Sequence, residues 1–197
     1  MTKMNTDSLV PMVADEDFTP AFKKSAERVS KRVGMVANNV RAMANAPELG
    51  ATMRQFLDDV WDHGELPKPI KALIRQKVSN INACVYCSAH QVKVLKSQGV
   101  SQDKIDNSYD YLTHPAFSEK ERAILQYSEA LTIDASSISP EIISKFTAHT
   151  TDQERVEVTI VAAAMGLLNR LNDGLRVPIE KPMLDIADTL NFERKIT

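Results

Sequence analysis

The sequence has little of what marks membrane, secreted or nucleic-acid-binding proteins. The 197 residues include only two cysteines, and the longest apolar run, Val158 to Leu168, is too short to cross a bilayer. The 24 basic residues form no cluster, and the formal net charge is −2, which argues against binding to nucleic acid or to an anionic membrane surface. The first 13 residues contain one lysine and no apolar run, unlike a signal peptide. We therefore expect a soluble, cytoplasmic protein.

Strand patterns are missing as well, whereas helix signals recur along the chain. Branched residues show no period-two alternation between turns. Typical helix starts occur at Thr19-Pro20, Ala46-Pro47, Ser139-Pro140, and at the capping boxes Ser118 to Glu121 and Thr151 to Glu154. The sequence therefore predicts an all-α fold. We expect an N-terminal helical arm over residues 1–46, a helical domain over 47–180 and a C-terminal helical tail over 181–197.

Two segments suggest how the helices pack. The most apolar helix, Val156 to Leu171, is predicted to be the buried centre of the domain. In the arm, the helix from Thr19 to Val33 carries Phe22 and Val29 on one apolar stripe that needs a partner surface. We expect this stripe to help bury a subunit interface in a symmetric homo-oligomer. A further helix is predicted from Met183 to Phe192.

The two cysteines lie in the segment from Asn82 to His90, spaced as Cys-x-x-Cys. In a reducing compartment such a pair is more often redox-active or metal-binding than structural. If the segment forms the first turns of a helix, successive residues rotate by about 100°, and Cys87 lies between Cys84 and His90 on one stripe. Two thiols at this spacing can form a disulfide, and a neighbouring imidazole can accept a thiol proton.

The energetics explain why a histidine matters here. A thiol with an ordinary pKa near 8.5 is only about 3% ionised at pH 7. Lowering that pKa to about 6.5 requires roughly 2.7 kcal/mol, whereas a helix N-terminus supplies only about 0.3–1 kcal/mol. An imidazolium at His90 could supply the remainder for the adjacent Cys87. We therefore predict that Cys87 is the nucleophile and that Cys84 is the resolving thiol, which closes a disulfide on a sulfenic acid.

Other interpretations of the cysteine pair remain open. The two thiols could be buried packing residues without chemistry. They could also contribute to a zinc site, but structural zinc needs four ligands and no second ligand pair is visible. The remaining histidines are scattered, at His63, His114 and His149. Covalent haem attachment is excluded because Ser88 follows Cys87. We therefore expect neither a metal nor another cofactor.

The segment from Cys84 to His90 resembles the CxYCxAH signature of AhpD-like members of the carboxymuconolactone decarboxylase superfamily. The runs from His114 to Thr132 and from Asn169 to Glu180 resemble the second half of these proteins. This resemblance implies an AhpD-like helical bundle that assembles as a homo-oligomer, from dimer to hexamer. It also implies alkylhydroperoxidase activity on a small hydroperoxide, with electrons from a thiol reductant protein. Carried over, the catalytic roles fall on Cys87, Cys84 and His90.

The sequence departs from the best-known AhpD proteins in two places. Their histidine follows the second cysteine by four residues, where this chain has Gln91. Their proton-relay glutamate stands twelve residues before the first cysteine, where this chain has Ala72, with Gln76 one turn later. Lys71 and Arg75 either stabilise a thiolate or are solvated surface charges, and the second interpretation is preferred.

The polar run Asn169, Arg170, Asn172 and Asp173 also has two interpretations. These side chains could line the active site, or they could cap the end of the apolar helix, where Gly174 follows. We interpret them as capping residues.

Three functions are compatible with these observations. The leading one is a thiol-dependent peroxidase or disulfide oxidoreductase that reduces organic hydroperoxides. A decarboxylase acting on a lactone, like the namesake of the superfamily, would not need the cysteine pair. A non-enzymatic, redox-responsive oligomeric scaffold is the third.

Overall fold

A computed structural model describes residues 8–190, and this part of the chain is all-helical, as predicted. Two short 3₁₀ helices, Asp15–Asp17 and Lys181–Met183, accompany the α-helices. The α-helices of this range are α1 (Pro20–Val33), α2 (Asn38–Met43), α3 (Pro47–Asp62), α4 (Lys68–Ile81), α5 (Val85–Ser97), α6 (Gln102–Asp106), α7 (Glu119–Ile133), α8 (Pro140–His149), α9 (Asp152–Gly174) and α10 (Leu184–Thr189).

The predicted helix starts are confirmed. The Thr19 and Ser139 side chains accept hydrogen bonds from the first turns of α1 and α8, and complete capping boxes open α7 and α9. The sequence patterns missed α2 and α6, because helices of five or six residues are too short to show an apolar period. The predicted last helix is shorter than expected and covers Leu184–Thr189, while Phe192 lies outside the described residues.

Helix α4 occupies the middle of the bundle, where it packs against α5, α7 and α9. Every residue from 71 to 80 is buried, although this stretch contains several charged and amide side chains. Partners make this burial possible. The Lys71 ammonium donates to the backbone carbonyls of Val60 and His63, and the Lys77 ammonium lies 3.3 Å from a Glu129 carboxylate oxygen.

Helix α9 is only half buried, so the prediction that it forms the buried centre is wrong. Its inner face contributes Val158, Val161 and Met165 to the core. Its outer face leaves Val156 and Ile160 59% and 42% exposed. The apolar residues of α9 therefore lie on two faces, one in the core and one exposed. The centre of the bundle is occupied by α4 and α5 instead.

The apolar stripe of α1 is buried within its own chain. Phe22 is fully buried, and α1 packs on α3 and α5, so residues of the arm share one core with the rest of the bundle. At Gly50 in α3, an added Cβ would stand 2.8 Å from the Phe22 ring, so the close packing of α1 on α3 depends on this glycine. The stripe is therefore already occupied, and a subunit interface needs a different surface. No helix within residues 8–190 is long and apolar enough to span a membrane.

Candidate active site

The cysteine pair lies at the sharp connection between α4 and α5. Ala83 adopts a left-handed conformation with a φ of 52°, and it turns the chain directly into Cys84. Cys84 is the N-cap of α5, and its sulfur accepts a hydrogen bond from the backbone N–H of Cys87 at 3.4 Å. The predicted helical spacing of the pair is confirmed, with the Cys84 sulfur taking the place of the usual N-cap oxygen.

The two sulfurs differ in their access to open space. Cys84 is fully buried, whereas Cys87 lines a cavity of about 50 Å³. This volume holds only a few water-sized groups, enough for the reacting end of a small substrate. The cavity walls come from α1, α2, α3, α4, α5 and α9, so the site forms where six helices meet. Of the two thiols, Cys87 is therefore placed to meet a substrate first.

The Cys84 thiol holds its proton. A hydrogen bond from the Cys84 thiol to the Cys87 side chain raises the pKa of Cys84 well above the ordinary value, and burial raises it further, while the backbone N–H of Cys87 opposes the rise in part. Asp173, near the end of α9, lies beside this thiol. Burial raises the pKa of the Asp173 carboxyl, and a hydrogen bond from Cys84 opposes that rise in part. Because Asp173 is also exposed to solvent, it connects the buried thiol with bulk water.

Asn172 contacts the other sulfur. Its Nδ2 donates to the Cys87 Sγ over 3.2 Å, and a thiolate accepts such a bond more strongly than a thiol does. One turn earlier, Asn169 accepts from Asn82 at 2.8 Å and donates to Ser79 at 3.3 Å, which ties α9 to the cysteine loop. The interpretation of this run as capping residues alone is therefore wrong.

Arg170 points away from these contacts. It is exposed, and its guanidinium donates to the Gly166 carbonyl of its own helix.

His90 is held by two partners other than sulfur. Its Nδ1 lies 2.8 Å from the backbone carbonyl of Tyr86, so Nδ1 carries a proton, and its ring stacks on the Tyr86 ring. Its Nε2 lies 3.1 Å from Glu180 Oε2, although the two atoms are not aligned for a hydrogen bond. Within residues 8–190, no hydrogen bond joins His90 to Cys84 or Cys87. His90 lines the cavity beside Cys87, but this arrangement is not that of a base in contact with the thiol.

Glu180 organises the side of the site behind His90. Its Oε1 accepts hydrogen bonds from the Tyr86 hydroxyl, at 2.8 Å, and from the backbone N–H of Asn38. Burial raises the pKa of Glu180, but His90, Asn38 and Tyr86 outweigh that effect and hold it below the ordinary value. The His90 ring and the Glu180 carboxylate thus form a buried pair, of which His90 lines the cavity.

The four candidates from α4 behave differently. Lys71 and Arg75 are both buried, so their interpretation as solvated surface charges is wrong. Arg75 lines the cavity, whereas Lys71 turns away toward the end of α3. Ala72 is buried in the core, and Gln76 donates to Asn80. Among the described residues, no carboxylate lines the cavity, so the relay glutamate of the best-known AhpD proteins has no counterpart there. In the same range, no group of three or more His, Cys, Asp or Glu side chains could hold a metal ion.

Comparison with known proteins agrees with this geometry. The carboxymuconolactone decarboxylase family matches residues 47–130. An uncharacterized protein of Escherichia coli (strain K12), YnjA, is 25% identical over 112 residues, which cover 56% of this chain and 61% of that relative. Residues 47–130, less than half of the chain, are thus similar to the carboxymuconolactone decarboxylase family. The match with YnjA spans less than two thirds of the length of that protein.

Several solved structures share this all-helical fold. The debrominase Bmp8 superposes with a TM-score of 0.85 at 20% identity, covering 93% of this chain and 98% of that one. A cysteine-to-alanine variant of Bmp8 in complex with 2,3,4-tribromopyrrole superposes with a TM-score of 0.82, at 20% identity, with 92% and 100% coverage. An uncharacterized peroxidase-related protein with an AhpD core, from Ralstonia eutropha JMP134, reaches 0.79 at 18% identity, with 95% and 100% coverage.

From the sequence, Asn172 and Asp173 were weighed as active-site residues but interpreted as capping residues, and Glu180 was not recognised as a site residue. Their signal was the run from Asn169 to Glu180, for which the sequence showed a resemblance to AhpD-like proteins. Polar residues after an apolar helix are ambiguous by themselves, because helix ends and active sites use the same residue types.

Proposed function

We propose that this protein is a thiol-dependent peroxidase and disulfide oxidoreductase that reduces organic hydroperoxides with Cys87 as the nucleophile and Cys84 as the resolving thiol. The observation that carries the proposal is the asymmetry of the pair. The Cys87 sulfur lines the cavity and accepts the N–H of Asn172, while Cys84 lies behind it and keeps its proton. Each thiol has the environment that its step requires.

The chemistry proceeds in two steps. The Cys87 thiolate attacks the terminal oxygen of the hydroperoxide, the O–O bond breaks, and the alkoxide takes a proton to leave as an alcohol. Cys87 is then a sulfenic acid. The Cys84 sulfur attacks the Cys87 sulfur as Asp173 takes the Cys84 thiol proton. The disulfide forms, the S–O bond breaks, and the departing hydroxide takes that proton from Asp173 and leaves as water. An external thiol reductant returns both cysteines to the reduced form.

His90 supports this chemistry through its charge in our proposal. An imidazolium fixed by Glu180 favours a thiolate at Cys87 without receiving its proton. The role normally filled by the relay glutamate, removal of a proton from a thiol, falls instead to Asp173 on α9. Loss of the glutamate at Ala72 is therefore compatible with activity.

Reductive dehalogenation is a second candidate, because the same pair of electrons can reduce a carbon–halogen bond. The fold similarity to the debrominase Bmp8, whose variant binds 2,3,4-tribromopyrrole, supports testing it. In that reaction a dithiol and a bromoarene give the hydrogenated arene, hydrogen bromide and the Cys84–Cys87 disulfide.

A single-turnover experiment tests the proposal. Fully reduced protein is mixed with one equivalent of cumene hydroperoxide or of 2,3,4-tribromopyrrole, and free thiols and organic products are quantified. We expect cumyl alcohol to form as both thiols disappear, and Cys87→Ser to form none. Thiol loss with the bromopyrrole alone would favour the second candidate. If both thiols persist with both compounds, a non-enzymatic scaffold is the remaining interpretation.

A further inference from the structure

The Arg75 guanidinium lines the active-site cavity without a counter-ion. Arg75 is only 7% exposed, and its Nε is buried without a hydrogen-bond partner. Among residues 8–190, its guanidinium forms no ion pair and no hydrogen bond. It stacks on Trp61 instead, with its central carbon 4.2 Å from the ring centroid. Arg75 is therefore held in place by an aromatic face, while its donors stay available.

The neighbouring charges increase the need for an anion. Arg32 and Arg54 also line the cavity, but both are paired with Asp58, at 2.8 Å and 3.1 Å. Burial, followed by repulsion from Arg32 and Arg54, lowers the pKa of Arg75 to about 9, although Asp62 and the Cys87 sulfur attract its charge. A buried cation that no carboxylate pairs with directly is costly, so this site favours an anion that can reach it.

One part of the cavity wall is apolar and indicates what the anion is attached to. Besides Trp61, this part contains Val29, Val33, Val94, Met165 and Leu168, while Asn39, Gln91, His90 and Asn172 line the polar part. Cys87 shares this wall with Arg75, yet no hydrogen bond links the guanidinium to the sulfur. A ligand can thus bind Arg75 with a charged group and present another atom to Cys87.

We infer that the natural substrate is an organic monoanion, an apolar molecule that carries a carboxylate, and that Arg75 binds this carboxylate while Cys87 attacks the reducible group. This inference rests on the proposed function for the reactivity of Cys87 and adds the substrate class. Planar guanidinium donors match a carboxylate in geometry as well as in charge.

Two alkylating agents of nearly equal size separate charge recognition from thiol reactivity. Iodoacetate carries a carboxylate and iodoacetamide is neutral. The rate at which each reagent alkylates Cys87 is measured by peptide mapping of the full chain. The ratio of the iodoacetate rate to the iodoacetamide rate is then compared with the same ratio for glutathione. We expect the iodoacetate-to-iodoacetamide ratio to exceed that of glutathione by about tenfold or more, which corresponds to about 1.4 kcal/mol.

Variants on α4 assign the preference to one residue. Arg75→Met should reduce the ratio to that of glutathione, and Arg75→Lys should retain part of the preference. Lys77→Met is the matched control, because the Lys77 charge lies on the same helix but pairs with Glu129 and does not line the cavity. It should keep the wild-type ratio.

Competition in the unmodified protein provides a test that does not depend on how the variants fold. At constant ionic strength, sodium acetate should slow the reaction of iodoacetate at Cys87, whereas acetamide should not. A wild-type ratio equal to that of glutathione, or equal loss of both rates in Arg75→Met, would overturn the inference while leaving the thiol chemistry intact. A Cys87 that reacts with neither reagent would instead contradict the proposed function, and the inference with it.

Discussion

The Nδ2 atom of Asn172 lies 3.2 Å from the Sγ atom of Cys87, and this contact joins the end of α9 to the first turn of α5. It places a hydrogen-bond donor directly on the sulfur that lines the cavity. A charged acceptor gains more from such a bond than a neutral one. In the proposed mechanism, the reactivity of Cys87 therefore depends on a residue 85 positions away in the sequence.

Replacing Asn172 by leucine should slow Cys87 at neutral pH. The change removes the donor but keeps a side chain of similar size. A hydrogen bond to a charged group contributes about 1.5 kcal/mol or more, so the alkylation rate at pH 7 should fall by about tenfold or more. The rate should recover in alkali, where the thiol ionises without help. A rate that stays low in alkali would instead indicate that the variant has blocked the cavity.

Replacing Asp173 by asparagine should separate the two steps of the reaction. Asparagine cannot accept the Cys84 proton, so the first oxidation should proceed normally while disulfide closure slows. In the wild type, closure should slow as the pH falls through the raised pKa of Asp173, because the protonated carboxyl no longer accepts a proton. In Asp173→Asn this pH dependence should be absent. Stopped-flow oxidation with quantification of sulfenic acid measures both steps, and an unchanged closure rate would remove Asp173 from the mechanism.

Replacing Glu180 by glutamine should destabilise the fold in a pH-dependent way. Because the pKa of Glu180 is lowered in the folded state, its stabilising contribution is present above the unfolded-state pKa of about 4.3. That contribution is lost as the pH falls through the lower pKa that Glu180 has in the folded state. Glu180→Gln leaves His90 without a charged partner, so we expect a loss of about 3 kcal/mol at pH 7.

Urea unfolding from pH 7 to pH 3 measures this difference. The difference in free energy of unfolding between wild type and Glu180→Gln should narrow below about pH 4.3, because the wild type then loses the contribution of ionised Glu180 as well. A gap that stays constant with pH would show that the ionised carboxylate is not what stabilises the fold.

A homo-oligomer remains a prediction, but its interface moves from α1 to α9. The outer face of α9 exposes Val156, Ile160 and Leu167 by 42–59%, which a second copy of the chain could cover. Light scattering should give a multiple of the chain mass of 21.9 kDa. Ile160→Asp should lower that mass, and Ile133→Asp, at an exposed residue at the end of α7, should not. A wild-type mass of one chain would contradict the prediction.

The fold could be predicted from the sequence where the signals are local. Proline after Thr19 or Ser139, and the capping boxes at Ser118 and Thr151, act within one helix turn, and all of them were placed correctly. The burial of α4 could not be predicted, because its charged residues are paired with Glu129, with backbone carbonyls and with Trp61, which are distant in sequence. The packing of α1 on its own chain depends on Gly50, whose role appears only when α1 and α3 meet.

The candidate site could be predicted only in part, for the same reason. The spacing of Cys84, Cys87 and His90 places them on one stripe, and the helix confirms this spacing. Helical spacing does not reveal that Glu180 faces the Nε2 atom of His90, or that Asn172 reaches Cys87. These contacts come from α9 and from the segment after it, so they require the tertiary fold.

The identity of the attacking sulfur is the central claim, and trapping of sulfenic acid in single-cysteine variants tests it most directly. Reduced Cys84→Ser and Cys87→Ser are each treated with cumene hydroperoxide in the presence of dimedone, and the labelled peptide is identified by mass spectrometry. We expect Cys84→Ser to give a dimedone adduct at Cys87, and Cys87→Ser to keep its thiol and give no adduct. An adduct at Cys84 in the Cys87→Ser protein, with none at Cys87 in the other variant, would contradict the account.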